Sequence, residues 1–456
     1  MTEPRVLPRA EHTLSRKNID PDALKVLYRL KHQGAVAYLV GGGVRDLLLR
    51  RSPKDFDIST SAHPQQVKKL FRNCFIIGRR FRLCHVRFGN NVIEVSTFRR
   101  KAESEDGDPL IRRDNTFGTP EEDAFRRDFT VNALFYDIAT FAVIDYVGGL
   151  GDLERRVIRT IGDPDLRFRE DPVRMLRAIA LATRLGFTVD GETIESIRTH
   201  RGEIVKSSPA RILEEFYKIL RMGAARETFV RLHEVGLLAY LLPVADRALT
   251  RDGEALLASL SRLDDYRNSQ APAIDALTNS IVMGTLLVPL GVPLRRDSRR
   301  QARRRAQHDG EVTEAEADLA VDDIDAEIEA LGEVEEAPAP SDVEPLALPF
   351  ARRDMDRLRL ILVAQRRLRD EHASVGARRL LASRHYFPEA LRWLEIHGGL
   401  DGREVALRWR SLDSEPPTHE SPGSDVTAAP EALSAPRRRR RRRRRRRPAV
   451  APEPTG

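Results

Sequence analysis

Residues 39–46 have the sequence Leu-Val-Gly-Gly-Gly-Val-Arg-Asp, and residues 54–58 have the sequence Lys-Asp-Phe-Asp-Ile. The apolar run at 37–40 predicts a short buried strand, and the three glycines after it predict a turn into a helix. Glycines at such a turn let backbone N–H groups surround an anion, and the helix N-terminus adds its dipole, so phosphate is the expected ligand. A tight strand-to-helix turn without any ligand would explain the same glycines equally well.

Asp55 and Asp57 lie in the second segment, on a strand predicted at 55–59. Residues two apart on a strand point to the same face, so we expect both carboxylates to project together. Two like charges side by side are unfavourable unless a cation lies between them, and an all-oxygen site suits Mg²⁺, with Mn²⁺ as an alternative. An isolated Asp-x-Asp pair is more often a solvated strand end, but the glycine turn just before it favours metal-assisted phosphoryl transfer.

A third carboxylate would complete the acidic set, and two candidates stay open. Glu94 lies in the middle of Val92-Ile93-Glu94-Val95-Ser96, where a charge needs either a partner or a function. A salt bridge to one of the nearby arginines would be a sufficient reason for it. Asp128, in the segment Arg-Arg-Asp-Phe-Thr-Val-Asn at 126–132, is the competing candidate.

The pattern of apolar residues predicts an α+β fold. One helix should begin at Pro21, with Asp20 as its N-cap, and end at Gly34. Further strands are predicted at 75–77, 83–88 and 92–98, and further helices after Pro64 and at 171–185, 210–220, 227–241, 273–290, 355–372 and 375–397. Strands and helices therefore alternate in a compact head, and only helices follow it.

These elements predict a small mixed-sheet head followed by an all-helical neck and body. The boundaries are a basic N-terminal arm at 1–19, expected to be mobile, the head at 20–152, the neck at 153–225, and the body at 226–294 and 347–412. Residues 295–346 combine a basic run with an Ala/Glu/Asp-rich block, which predicts a disordered charged insertion. The tail at 413–456 contains an uninterrupted run of arginines, and its composition also predicts disorder.

Composition limits the class of protein. The chain has 456 residues, of which 41% are hydrophobic, and a net charge of +8 that is spread unevenly. No stretch approaches the roughly 18 uninterrupted apolar residues of a membrane helix, and the N-terminus lacks the apolar core of a secretory signal. The two cysteines, Cys74 and Cys84, have no matching histidine cluster, which argues against a zinc site and for a reducing compartment. We therefore expect a cytoplasmic protein, and the uneven basic charge suggests a nucleic-acid partner.

Four motifs occur in order along the chain: Gly-Gly-x-Val-Arg-Asp at 41–46, Asp-Phe-Asp-Ile at 55–58, Arg-Arg-Asp-Phe-Thr-Val-Asn at 126–132, and Glu-Asp-Pro-Val-Arg-Met-Leu-Arg at 170–177. Together they resemble the class II nucleotidyltransferase family, which comprises bacterial poly(A) polymerases and tRNA CCA-adding enzymes. The resemblance extends over residues 20–225, about half of the chain. It implies a five-stranded nucleotidyltransferase sheet in the head, followed by a helical neck and body.

The resemblance also implies a role for each matching residue. Asp55 and Asp57 would bind the metal ions, with Glu94 or Asp128 completing the catalytic carboxylates. The implied nucleotide-binding residues come from the glycine turn and from the two later motifs, and they are Gly41, Gly42, Arg45, Arg127, Asn132, Asp171, Arg174 and Arg177. The first three would hold the triphosphate, and the next two would contact the phosphates and sugar. Asp171 and Arg174, three apart on one helix face, would select the base, with Arg177 one turn further on.

The implied reaction is attack of an RNA 3′-hydroxyl on the α-phosphorus of ATP, without a template and with pyrophosphate as the leaving group. Within the family, the basic strand segment at 77–86, with Arg79, Arg80 and Arg82, resembles the poly(A) polymerase branch. CCA addition to tRNA is the alternative. Some CCA-adding enzymes carry an HD-type metal domain, but the His308-Asp309 pair lies in the charged insertion, where no folded metal site is expected. A non-catalytic RNA-binding protein is a second alternative, and the paired aspartates argue against it.

The arginine run at 437–447 would neutralise RNA phosphates without selecting a sequence. Within this run, the residues expected to contact RNA are Arg437, Arg440, Arg444 and Arg447. A solvated tail with no part in turnover is the simpler alternative. The expected partners are RNA 3′ ends and ATP, with the RNA-decay machinery implied by the resemblance; no membrane is expected, and a monomer is favoured.

Overall fold

The computed structural model describes residues 3–78, 82–100, 117–270, 277–292 and 348–412. Within these ranges the head contains an eight-stranded mixed sheet. Its strands in chain order are β1 (Arg5–Leu7), β2 (Ala37–Val40), β3 (Asp57–Thr60), β4 (Cys74–Ile77), β5 (Leu83–Phe88), β6 (Asn91–Thr97), β7 (Leu134–Tyr136) and β8 (Val143–Asp145). They lie side by side in the order β1-β8-β7-β2-β3-β6-β5-β4. The pair β3 and β6 is parallel, and the other neighbouring pairs are antiparallel.

Helices cover the sheet and form the rest of the described chain. Those of the first part are α1 (Pro21–His32), α2 (Gly42–Leu48), α3 (Pro64–Leu70), α4 (Pro120–Phe125), α5 (Gly149–Arg155), α6 (Pro164–Glu170), α7 (Val173–Leu185), α8 (Gly191–His200) and α9 (Pro209–Arg221). Those of the second part are α10 (Ala225–Glu234), α11 (Leu238–Leu241), α12 (Pro243–Arg251), α13 (Glu254–Gln270), α14 (Asn279–Leu287), α15 (Arg352–Leu368), α16 (Val375–Ala382), α17 (Phe387–His397) and α18 (Gly399–Leu412). A small parallel sheet of β9 (Val157–Ile158) and β10 (Thr188–Val189) lies between α5 and α8 in the chain. This arrangement confirms the predicted α+β fold with a helical second part.

The N-terminus of α1 forms as its sequence predicts. The Asp20 carboxylate accepts hydrogen bonds from the backbone N–H groups of Asp22 and Ala23, and Pro21 occupies the first turn, where a missing N–H is harmless. The apolar positions of the helix, among them Val26 and Leu30, are fully buried. Helix α1 therefore packs its apolar face on the sheet and fixes one side of the head.

Strands β4 to β6 have one buried and one outer face. Cys84, Val86, Ile93 and Val95 are buried on the inner side, which packs against α1 and α3. Because side chains alternate along a strand, the residues between them point to the opposite side. We call that side the outer face; β3 contributes Asp57 to it.

Four predictions of local structure are wrong. The helix predicted at 375–397 is two helices, α16 and α17. Residues 5–7 of the predicted mobile arm pair with β8, and Leu14 and Ile19 of the same segment are buried, so this segment belongs to the head. The sheet has eight strands in the described residues instead of five, because β1, β7 and β8 extend it on the side beyond β2; β4, at the other edge, is the strand predicted at 75–77. The helix predicted at 227–241 is two helices, α10 and α11, separated by Gly236 at φ +71°.

The chain forms one compact unit from Met1 to Arg408 and a second unit from Trp409 to Gly456. The first unit contains the described parts of the predicted head and neck and of the predicted body up to Arg408, so the boundaries proposed between them stay predictions. The insertion predicted at 295–346 and the tail at 413–456 lie outside the described residues. No helix in the described ranges is both long enough and apolar enough to cross a bilayer.

Candidate active site

The glycine turn connects β2 to α2 at the centre of the sheet. Gly41 has φ +72° and ψ −136°, a backbone conformation that side-chain-bearing residues rarely adopt. A Cβ atom at Gly41 would lie 3.1 Å from Nη1 of Arg127, and one at Gly43 would lie 3.3 Å from the carbonyl oxygen of Asp55. The glycines therefore bring the start of α2 close to two other predicted site residues. The first backbone N–H groups of a helix have no acceptor within the helix, so they are suited to bind an anion.

Asp57 and Glu94 lie side by side on the outer face. The parallel register pairs Ile58 of β3 with Val95 of β6, which places the preceding residues, Asp57 and Glu94, beside each other. Burial, the charge of Glu94 and then that of Asp55 raise the pKa of Asp57 to about 6, while Arg127 acts in the opposite direction. Three carboxylates therefore crowd this point of the sheet, which is the electrostatic situation that a divalent cation relieves.

Asp55 does not lie on the strand as predicted. Strand β3 begins at Asp57, and Asp55 belongs to the loop that packs against Gly43. Its side chain is largely exposed, and the nearest cation is Lys54, with Nζ 3.8 Å from Oδ2. The two aspartates thus approach the same point from a strand end and from a loop.

Glu94 and Asp128, the two candidates for a third carboxylate, have opposite surroundings. Glu94 is exposed, with Oε1 3.4 Å from Nε2 of His85 on the neighbouring strand. Asp128 is buried, and its Oδ2 lies 2.6 Å from Nη2 of Arg177. Burial opposes the charge of Asp128, but Arg177 and hydrogen bonds from Asn132 and the Phe129 N–H hold its pKa below the usual range. The structure thus brings Glu94 to Asp57 and commits Asp128 to other partners.

Arg127 lies between the glycine turn and Asp57. Its Nη2 donates hydrogen bonds to Oδ2 of Asp123 at 2.9 Å and to Oγ of Ser59 at 3.2 Å. Its guanidinium also lies over the Phe135 ring, 5.3 Å from the centroid. These contacts fix a positive charge next to the crowded carboxylates, where the phosphates of a nucleotide would be neutralised.

Arg45 lies beneath the turn and not in the open site. Its side chain is 4% exposed, its Nε donates to Oδ1 of Asp46 at 2.8 Å, and its Nη1 donates to Oδ1 of Asn132. Burial lowers the pKa of Arg45, and the neighbouring Asp46 compensates in part. Arg45 therefore supports the turn from below, and Asn132 is held by it from one side.

Asn132 is the middle of a continuous polar connection between the head and α7, which we call the head–neck chain. Its links are side-chain hydrogen bonds or ion pairs, and in order its members are Arg184, Asp46, Arg45, Asn132, Asp128 and Arg177. Both ends, Arg184 and Arg177, are on α7 and seven residues apart, which is two turns of one helix face. The chain therefore ties the glycine turn to that helix at two points.

The expected pairing of Asp171 with Arg174 on one helix face is wrong. Asp171 has φ −151° and ψ 90°, so it lies in extended backbone between α6 and α7. Its Oδ2 accepts a hydrogen bond from Nη2 of Arg211 at 2.9 Å, while its Oδ1 is buried without a hydrogen-bond partner in the part of the chain that the structure describes. Arg174 donates instead to the carbonyl oxygen of Arg167 and lies 3.6 Å from Glu170. Pro172 explains the difference, because the residue before a proline is disfavoured in helical conformation.

The predicted RNA-binding residues are described only in part. Arg82 is exposed, has φ +43°, and lines a surface cavity of about 440 Å³ together with Lys68 and Phe117. Arg79, Arg80 and the tail residues Arg437, Arg440, Arg444 and Arg447 lie outside the described residues.

Three residues of the site were not predicted from the sequence. Asp123 holds Arg127, and the spacing of four residues between an acidic and a basic side chain was the available signal. Asp46 belongs to the head–neck chain, but its position directly after Arg45 in the sequence did not indicate this role. His85 contacts Glu94 only through strand pairing, which no local pattern encodes.

Two segments of the chain match known protein families. Residues 37–159 match the family described as "Poly A polymerase head domain", and residues 186–249 match "Probable RNA and SrmB- binding site of polymerase A". Poly(A) polymerase I of Salmonella typhi is 50% identical over 261 residues, 55% of this chain and 56% of that protein. Poly(A) polymerase I of Haemophilus influenzae is 40% identical over 254 residues, 54% and 56% of the two chains. The CCA-adding enzyme of Lactobacillus helveticus is 40% identical over 209 residues, 45% and 51%.

Solved structures show the same architecture. The CCA-adding enzyme of Bacillus stearothermophilus in complex with CTP superposes with a TM-score of 0.53 at 27% identity, over 87% of this chain and 83% of that one. Residues 37–159 thus match a poly(A) polymerase head domain, and the chain resembles bacterial poly(A) polymerases and CCA-adding enzymes. It matches little more than half the length of its curated relatives.

Proposed function

We propose that the chain is a poly(A) polymerase that adds AMP from ATP to RNA 3′ ends without a template and releases pyrophosphate. The crowding of Asp55, Asp57 and Glu94 beside the glycine turn is the observation that carries the proposal. The 50% identity to poly(A) polymerase I of Salmonella typhi supports this particular product.

The residues present suit Mg²⁺, with Mn²⁺ as an alternative. Among the described residues, no group of three or more His, Cys, Asp or Glu side chains is arranged so that it could hold a metal ion. Mg²⁺ in nucleotide-dependent enzymes commonly takes only one or two carboxylates and completes its shell with water and substrate phosphates. Asp55 and Asp57 would supply those carboxylates, with Glu94 completing the acidic set. The bound cation would neutralise the phosphates and lower the pKa of the attacking hydroxyl.

The chain's own residues would hold the nucleotide around this point. The first N–H groups of α2 and the guanidinium of Arg127 would bind the triphosphate, with Arg45 and Asn132 keeping the turn and Arg127 in place. The RNA 3′-oxygen then forms a bond to the α-phosphorus, and the bond from that phosphorus to pyrophosphate breaks. The hydroxyl proton passes to solvent, and no covalent intermediate with the protein is formed.

Base selection is proposed for the start of α7. The buried Oδ1 of Asp171 is an acceptor, and the exocyclic amino group of adenine is a donor. Arg174 and Arg177 lie on the helix that follows and would bring donor groups to the same edge of the base. Selection by side chains would make a template unnecessary.

CCA addition to tRNA is the second candidate. It is favoured by the 27% identical CCA-adding enzyme structure and by the 40% identity to the enzyme of Lactobacillus helveticus. The matches to poly(A) polymerases are longer and, for the Salmonella protein, stronger. We place the proposed activity in the cytoplasm, with a monomer acting on RNA 3′ ends and the RNA-decay machinery as a partner; the two free buried cysteines support the compartment.

Primer extension tests the proposal. Purified protein is incubated with Mg²⁺, a labelled RNA of generic sequence, and each nucleoside triphosphate separately. A long ladder with ATP alone is expected, and Asp57→Ala should abolish it while leaving the circular dichroism spectrum unchanged. Addition of only C, C and A to a tRNA that lacks its 3′ end would establish the second candidate, and extension by the Asp57→Ala variant would overturn the assignment of the site.

A further inference from the structure

A row of side chains crosses the outer face from the carboxylates to the edge of the sheet. Strand pairing places Glu94 opposite His85 and His85 opposite Phe75, and Asp57 precedes the residue paired with Val95. Directly opposed residues in a sheet share a face, so these four side chains lie next to one another on β3, β6, β5 and β4. The last of them is on β4, the edge strand.

The edge end of this row is apolar, exposed and positively charged. Phe75 and Ile77 occupy neighbouring outward positions of the same short strand, and they are 55% and 47% exposed. The guanidinium of Arg87 lies 6.0 Å from the centroid of the Phe75 ring. An exposed aromatic ring with a cation above it, continuous with a reaction centre, is a feature that burial and folding do not require.

We propose that the outer face of β4 and β5 binds the terminal nucleotides of the RNA primer, with a base stacked on Phe75 and the phosphates facing Arg87. This inference rests on the proposed nucleotidyltransferase function and adds the substrate surface to it. Aromatic rings in a basic groove bind single-stranded nucleic acid without selecting sequence, because every base has a π-face. Such tolerance is what repeated addition to changing 3′ ends requires.

The distance along the row fits a short stretch of RNA. Three inter-strand spacings separate β3 from β4, or about 14 Å. At the rise of a stacked strand this corresponds to about four nucleotides. A base on Phe75 therefore leaves the 3′-hydroxyl within reach of Asp57 and Glu94.

Charge favours RNA over a protein partner on this face. Arg87 is exposed on it, and Lys68 and Arg82 line the cavity beside β4, so a polyanion meets cations from both sides of the edge. A protein strand that pairs with β4 would instead form hydrogen bonds with the backbone of this edge strand. Such pairing gives no reason for the row of side chains that extends from Phe75 to the carboxylates. We therefore assign the surface to RNA, and protein docking is an outcome that the test below would reveal.

The test compares two substitutions at one position in the full-length chain. Phe75→Tyr keeps an aromatic ring, and Phe75→Leu keeps apolar character but removes it. Steady-state extension is measured with a short oligoadenylate at elevated salt, where binding by the arginine run is screened. We expect Phe75→Leu to raise the primer KM by about tenfold, with the KM for ATP unchanged, and Phe75→Tyr to stay close to the wild type.

Tyr28→Leu is the control, because Tyr28 is an exposed aromatic residue on α1, outside the sheet. It should leave both KM values unchanged. Equal primer KM values for Phe75→Leu and the wild type would overturn the inference. An equal rise of the primer KM in Phe75→Leu and Phe75→Tyr would also overturn it, because that result would indicate apolar docking or a folding defect. Crosslinking of a primer with 4-thiouridine about four nucleotides from its 3′ end separates the two levels. A wild-type protein that extends no RNA but crosslinks through β4 or β5 would sink the proposed function and keep the RNA surface.

Discussion

Asp128 and Arg177 form an ion pair of 2.6 Å between the head and α7. Asp128 follows Arg127, which lies beside the carboxylates, and Arg177 lies two turns before Arg184, which binds Asp46 under the glycine turn. The same helix therefore contacts the site's supporting residues at two points. Any shift of α7 would be transmitted to the turn that is proposed to hold the triphosphate.

Arg177→Ala should destabilise the protein because it leaves the buried Asp128 carboxylate without its counter-charge. We expect the free energy of unfolding in urea to fall by about 2 kcal/mol, less than for a fully buried pair because the Arg177 side chain is partly exposed. The double variant Asp128→Asn/Arg177→Ala should lose less than the sum of the single variants. Arg198→Ala, which removes an exposed ion pair with Glu195, is the control and should change stability by less than about 0.5 kcal/mol. Additive losses in the double variant would contradict the pairing.

Glu94, and not Asp128, should behave as the third catalytic carboxylate. Glu94→Gln removes a charge beside Asp57 and should lower kcat by about a hundredfold, which corresponds to about 2.7 kcal/mol of barrier. Asp128→Asn keeps the shape of a residue that is bound to Arg177 and Asn132, so it should lower stability more than kcat. Rate measurements at saturating ATP and primer, together with urea unfolding of both variants, decide between them. The reverse pattern would identify Asp128 as the catalytic group.

Gly41→Ala should lose activity beyond what its backbone strain explains. Gly41 and Gly34 have similar positive φ angles, +72° and +79°. A Cβ atom at Gly41 would lie 3.1 Å from Nη1 of Arg127, whereas one at Gly34 would have no neighbour within 4 Å. Both Gly41→Ala and Gly34→Ala should cost about 1–2 kcal/mol of stability. Displacement of Arg127 should reduce extension by about a hundredfold in Gly41→Ala alone. Equal activity of the two variants would show that the turn needs glycine for folding only.

Local sequence was sufficient where an element is fixed by its own residues. The Asp20 cap, Pro21 and the stop at Gly34 predicted α1 correctly, and the glycine turn was predicted because only glycine fits its backbone. The segment at 83–88 is the strand that its apolar pattern predicted. In each case the determining contacts lie within a few residues along the chain.

Register and long-range pairing could not be predicted in this way. The choice between Glu94 and Asp128 depends on which residue of β6 pairs with β3 and on a partner 49 residues away, Arg177. The strand at 5–7 forms because β8, far along the chain, offers it an edge. Asp171 lies outside the expected helix because Pro172 follows it, and the residue before a proline is disfavoured in helical conformation. The i,i+3 spacing of Asp171 and Arg174 favoured a helix, but the effect of the proline is the stronger one.

Acid should weaken the helical part of the protein through His397. This side chain is partly buried, its Nε2 lies 2.9 Å from Oγ1 of Thr285, and it packs on the Trp393 ring. Burial, followed by the charge of Arg262, lowers its pKa to about 3. Between that value and the unfolded pKa of about 6.5, the unfolded chain binds a proton that the folded chain excludes, so the free energy of unfolding falls as the pH falls. At pH 5 the loss should be about 2 kcal/mol.

His397→Gln should remove this loss, because glutamine does not titrate. The stability difference between wild type and variant, measured by urea unfolding, should therefore shift in favour of the variant by about 2 kcal/mol between pH 7 and pH 5. His372→Gln, which replaces an exposed histidine, controls for the loss of one imidazole. If the difference in the free energy of unfolding between wild type and His397→Gln stays constant from pH 7 to pH 5, His397 is protonated in the folded protein.

Asp171 should determine the preference for ATP. Its buried Oδ1 has no partner in the described residues, while Oδ2 is held by Arg211, so one acceptor is fixed in place and left without a donor. Asp171→Ala should raise the KM for ATP by about tenfold or more and reduce the preference for ATP over GTP, because guanine carries an acceptor where adenine carries its amino group. Arg211→Ala is the matched control, since it removes the anchor of Oδ2 and leaves the acceptor in the chain; it should retain most of the ATP preference. Competition extensions with ATP and GTP measure both variants, and an unchanged preference in Asp171→Ala would move base selection to Arg174 and Arg177.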